Sequence, residues 1–157
     1  MSSLDYKSYL KNKCFIGYGL INGIINAIIF YLINRSDMLK AYTFGSALEE
    51  MAMTTLLLGL ILTWCVVPLT KKDLNSEVYT KGSISKIAPK LPKGAIALSI
   101  VVGLICLVAG SLVSSIIVTI LGCSFNAWTM MVVKGIVCAL TGALAGYLVI
   151  ESVSYNA

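Results

Sequence analysis

Histidine is absent from this sequence altogether. That removes imidazole acid–base catalysis, histidine-ligated haem and the usual zinc sites. Acidic residues are scarce as well, seven Asp and Glu against twelve Lys and Arg, and charged residues of both signs make up only 12% of the chain. A soluble domain carries about twice that share. The five cysteines, Cys14, Cys65, Cys106, Cys123 and Cys138, contain no C-x-x-C pair, which argues against a disulfide framework or an iron–sulfur site. All but Cys123 lie in or at the end of apolar runs, where cysteine acts as a small hydrophobe. No phosphate-binding glycine loop, metal-ligand spacing or dinucleotide fingerprint occurs. Serines and cysteines are present, but no histidine or buried acid is placed to activate one as a nucleophile. The expectation is a protein with no cofactor, no metal and no enzymatic activity.

Long apolar runs are what the chain has instead. Four of them, 14–33, 51–69, 95–121 and 127–150, meet the length of about 20 residues that a spanning helix requires. They define an all-α integral membrane protein, one four-helix transmembrane domain over 1–157 with a long polar loop at 70–94. The third run exceeds a bilayer's thickness and must tilt, kink or protrude. The first follows Lys7, Lys11 and Lys13 but ends in Tyr31-Leu32-Ile33-Asn34-Arg35. It lacks a small-residue cleavage site, so it reads as a retained helix and not a signal peptide.

Orientation follows from the basic residues. The N-terminal arm has three lysines, and the 70–94 loop has Lys71, Lys72, Lys81, Lys86, Lys90 and Lys93. The first outer connection has only Arg35 and Lys40, and the turn at 122–126 has none. Both termini are therefore expected in the cytoplasm, with the protein in the plasma membrane. With no basic folded domain, nucleic acid is not an expected partner; the basic loop should lie against anionic lipid.

Local signals refine this picture. Residues 1–13 mix Leu4, Tyr6, Tyr9 and Leu10 with lysines, which suits either a short interfacial helix with tyrosines at headgroup level or a frayed tail. Ser46 followed by Glu49 reads as a capping box opening the second helix, with Glu49 and Glu50 at the positive end of its dipole. Trp64, Pro68 and Lys71-Lys72 read as its exit. Pro89-x-x-Pro92 reads as a stiff entry into the third helix. Gly19-x-x-x-Gly23 in the first helix and Gly142-x-x-x-Gly146 in the fourth are small-residue patterns that allow helices to approach closely. The two halves also resemble each other as parallel helical-hairpin repeats, with Gly23 matched to Gly103 and the segments opening at Phe44 and Phe125 matched to one another.

One constellation has chemistry in it. Lys134 lies about seven residues inside the fourth helix, roughly 10 Å deep at about 1.5 Å per residue. A charge in hydrocarbon costs from about 2.5 to more than 10 kcal/mol, so it faces protein or water and takes a partner. Asn26 lies at similar depth, and Asn22 shares its face one turn away. Glu49 and Glu50 start near the outer surface, and Thr54 continues the Glu50 face inward. The candidate cluster is Asn22, Asn26, Glu49, Glu50, Thr54 and Lys134. Three readings are open: a snorkelling lysine paired with a glutamate that fixes helix order, a binding or ion-translocation site, and a contact to an acid on a partner's helix.

In length the chain resembles the small multidrug exporters. Those place a glutamate mid-membrane in the first helix where this sequence has Asn22 and Asn26, so their proton-coupled mechanism is not carried over. The leading expectation is an accessory subunit that packs with itself or with a larger membrane protein. A small oligomeric transporter or channel lined by the Lys134 cluster is the alternative.

Overall fold

The computed structural model describes residues 5–80, 82, 85–122 and 124–156; Leu4, Lys81 and Cys123 lie outside them. Four helices are long and apolar enough to cross a membrane: α1 (Tyr6–Asn34), α2 (Phe44–Asn75), α3 (Ala95–Ile120) and α4 (Ala127–Asn156). Two short strands, β1 (Ala41–Thr43) and β2 (Ser124–Asn126), lead directly into α2 and α4. They pair antiparallel, with Tyr42 opposite Phe125. The strands mark one end of the bundle; the other, the loop end, holds the start of α1, the end of α4 and the 76–94 connection, which includes a 3-10 turn at Ala88–Lys90.

The helices run beyond the apolar stretches because polar side chains extend them. α2 starts at Phe44, with Thr43 as its cap: the Thr43 hydroxyl accepts from the Ser46 N–H, and the Ser46 hydroxyl accepts from the Thr43 N–H at 3.0 Å. The capping box is therefore Thr43 with Ser46, one turn earlier than Ser46 with Glu49, and Glu50 lies inside the helix rather than at its mouth. Asn126 caps α4 in the corresponding way, its Oδ1 accepting from the Thr129 N–H at 3.0 Å.

Pro68 does not end α2, which continues to Asn75. A proline inside a helix forfeits one backbone bond and crowds the preceding turn. Here the turns beyond it are held by α1: Asp73 accepts from the Tyr9 hydroxyl at 2.8 Å and pairs with Lys13 at 2.9 Å. The same contacts overturn the surface readings of the N-terminal arm. Tyr6 and Tyr9 are buried, and their helix runs without interruption into the apolar stretch, through a wider π-helical segment at Asn12–Leu20.

The last helix is the centre of the packing: α1 and α2 lie against it, α3 packs chiefly on α2, and α3 also reaches α4. Close approach comes from missing side chains. A Cβ on Gly23 would stand 2.6 Å from the Gly135 carbonyl oxygen, and one on Gly142 would collide with the Tyr18 carbonyl. Gly19 and Gly146 face the same α1–α4 seam. Leu56 and Leu60 stand to Gly103 as Ala139 and Ala143 stand to Gly19. Phe44 opens a helix, whereas Phe125 lies in a strand and Ala127 opens the helix that follows.

Two buried clusters result. Phe30, Tyr42, Met51 and Met130 pack under the strands; Tyr6, Tyr9, Tyr79 and Ile150 pack at the loop end. The outward face of α3 is an unbroken stripe of Ile96, Ile100, Leu104, Val108, Leu112, Ile116 and Ile120, all exposed. Apolar surface on that scale needs a non-aqueous cover.

Candidate functional site

Strand pairing sets the level of the charged pair. Because β1 and β2 are paired where α2 and α4 begin, residues six or seven positions into either helix sit at a common depth, about 10 Å below the strands. Glu50 and Lys134 are those residues. The Lys134 Nζ donates to the Glu50 Oε1 at 2.8 Å. The lysine side chain is 12% exposed and the glutamate side chain 32%, so the lysine is enclosed while water or a neighbouring molecule can reach the acid. The lysine also stands 5.2 Å from the centroid of the buried Phe30 ring of α1, where the negative face of the ring favours a cation. The Tyr42 ring lies 6.0 Å from Phe30, and burial followed by the Glu50 carboxylate pushes its phenol above the ordinary tyrosine range.

The other members of the sequence-derived cluster do not converge on this pair. Asn22 donates to the Tyr18 carbonyl at 2.7 Å and Asn26 to the Asn22 carbonyl at 2.9 Å, both within α1. The Thr54 hydroxyl donates to the Glu50 backbone carbonyl at 2.8 Å. Glu49 is exposed. The pattern repeats through the bundle: Thr55, Thr63, Ser114 and Thr141 each donate to the carbonyl four residues earlier. Such bonds satisfy a hydroxyl or amide inside its own helix and leave no partner needed across the interface. What remains for chemistry is Glu50, Lys134 and the Phe30 ring.

A second polar cluster, absent from the sequence reading, lies at the loop end. Glu151 is 2% exposed, and its carboxylate accepts from the Tyr6 hydroxyl at 3.1 Å and from the Ser85 backbone N–H at 2.7 Å. The bundle thus contains a buried acid that the sequence did not single out, and it binds α1 and the long connection to the end of α4. Tyr79 stacks on Tyr9 with ring centroids 4.0 Å apart and shares a 2.9 Å hydrogen bond with Ser154. Burial, the larger effect, outweighs that bond and raises the Tyr79 phenol above its ordinary value. The only available hints were Tyr6-x-x-Tyr9 and a lone acid within Val149-Ile150-Glu151. Neither says that a loop nearly 70 residues away supplies an N–H.

Among the described residues no group of His, Cys, Asp and Glu is placed to hold a metal ion. Comparison with protein-family models, curated proteins and solved structures finds no match.

Proposed function

We propose that this chain is a multi-pass membrane protein of a plasma-type membrane, with both termini and the long connection on the cytoplasmic side. In this reading it is a non-enzymatic subunit that works by packing against a second copy or a larger membrane protein. One observation carries it. Asn22, Asn26, Thr54, Thr55, Thr63, Ser114 and Thr141 spend their donors inside their own helices, while an outward-facing groove of about 280 Å³ remains between α1 and α4. Its floor is Gly23, Ala27, Gly135 and Ala139, and its walls are Leu20, Ile24, Val132 and Ile136. Small residues beneath branched apolar ones form a shape that a neighbouring helix fills without finding a polar group. The Glu50–Lys134 pair then serves to fix the order and depth of α2 and α4. The two hairpins are read as parallel repeats about an axis along the membrane normal, supported by the paired strands.

The uneven exposure of the pair favours a second reading, a small oligomeric transporter or channel. An enclosed lysine beside a reachable carboxylate can change partners when a solute or proton arrives. Native mass spectrometry of the gently extracted protein separates the two. A stoichiometric complex, retained in Lys134→Ala only if α2 and α4 stay in register, supports the subunit. A folded Lys134→Ala protein that keeps its assembly but loses solute flux across vesicles supports the transporter.

A further inference from the structure

Where α2 leaves the bundle and α3 enters it, beside the last turns of α4, a cavity of about 360 Å³ opens. It is layered. Going outward, α2 passes from Val67 to Lys71, α3 is met from Leu98 back to Lys93, and α4 passes from Val153 to Asn156, all of them lining residues. The inner Val67, Leu98 and Val153 are apolar, the Ser152 hydroxyl beside them is spent on the Pro92 carbonyl, and the outer tier carries two ammonium groups and the amides of Asn75 and Asn156. None of the lining residues is acidic, and neither Lys71 nor Lys93 is in an ion pair among the described residues. Asp73, two residues along from Lys71, is taken by Lys13 and Tyr9, and Glu151, next to the lining Ser152, by Tyr6 and the Ser85 N–H.

Two like charges around one empty volume repel each other and gain from an anion between them. The apolar tier gains separately from a hydrocarbon segment. The volume falls in the range of small-ligand sites, enough for a phosphate group and the first part of a chain. We propose that this cavity binds the phosphate of an anionic amphiphile, with Lys71 and Lys93 on the phosphate and Val67, Leu98 and Val153 on the chain. A membrane phospholipid supplies both parts; inorganic phosphate supplies only one. The assignment rests on the membrane-spanning reading, which resistance of the protein to alkaline extraction from membranes tests by itself.

The experiment uses the full chain in mixed phosphatidylglycerol–phosphatidylcholine nanodiscs, with native mass spectrometry counting the lipid retained after release. One phosphatidylglycerol per chain is expected to remain in preference to phosphatidylcholine. The double substitution Lys71→Gln with Lys93→Gln should weaken retention about thirtyfold. Lys72→Gln with Lys90→Gln, which removes the same charge elsewhere on the loop end, should change it less than threefold. Ala95→Trp, at an exposed position lining the cavity, should abolish retention with charge unchanged. Equal losses in the two double variants, or equal retention of both lipids, would overturn the assignment. Displacement of the lipid by millimolar inorganic phosphate would overturn its hydrocarbon half.

Discussion

At the scale of residues, the balance at Glu50 and Lys134 is set by desolvation and geometry. Removing one member of a buried pair is costly because the other is left alone in a poor solvent, whereas replacing both by apolar groups is often neutral or stabilising. Glu50 is a third exposed, which lowers the penalty below that of a fully enclosed pair. Glu50→Gln, close to the same shape without the charge, should therefore destabilise the protein by about 1–3 kcal/mol. Glu50→Leu combined with Lys134→Met should restore stability to the starting value or above it. Thermal unfolding in detergent, read by circular dichroism, gives both numbers. A double variant as unstable as the single one would mean that the pair contributes more than the removal of a mismatch.

At the scale of elements, the α1–α4 seam is specified by the side chains it omits. Gly142 has the Tyr18 backbone where a Cβ would go, and Gly23 has the Gly135 carbonyl. Backbone cannot rotate aside as a side chain can, so even one methyl group there must push the helices apart. Gly142→Ala should lower stability by about 1–3 kcal/mol. Gly45→Ala, where nothing stands within 4 Å of the new carbon, should leave it unchanged or raise it by up to about 1 kcal/mol. The contrast between two identical chemical changes is the test, since helix propensity alone predicts a gain at both. The same seam explains why α1 packs on the last helix and not chiefly on its sequence neighbour: its small residues face α4, and its Ile21, Ile25, Ile28 and Leu32 are exposed.

At the scale of the whole molecule, the two ends have different characters. The strand end is tied by three residue pairs and the Tyr42–Phe125 stack. The loop end holds buried tyrosines, a buried glutamate and most of the lysines. The proposed orientation puts them on opposite sides of the membrane. With the five native cysteines replaced by alanine, Leu39→Cys, at a position 81% exposed near the strand end, should react with an impermeant maleimide in intact cells. Ser76→Cys, exposed at the loop end, should react only after permeabilisation. Labelling of both from outside would exclude the arrangement of spans proposed here.

The sequence by itself determined the number of long apolar helices, because span length is a one-dimensional property of composition. It also put Gly19 with Gly23, and Gly142 with Gly146, on one face of their helices, since a four-residue spacing does so whatever the neighbour is, but it did not single out Gly59, which stands against Gly103. It marked Lys134 as a residue in need of a partner. It did not choose between Glu49 and Glu50. That choice depended on where α2 begins, and the cap at Thr43 moved the start a turn earlier than Ser46 suggested. Nor did it show that Asn22 and Asn26 satisfy themselves, because an amide at that spacing bonds its own helix or another equally well until the neighbours are known. The loop-end cluster was out of reach for a related reason. Tyr6, Tyr79, Ser85 and Glu151 come from segments far apart in the chain, and what joins them is the shared burial of aromatic rings around one carboxylate. Local patterns of apolar residues fix what a segment is, but contacts between polar groups from distant segments are decided only when the helices take their places around α4.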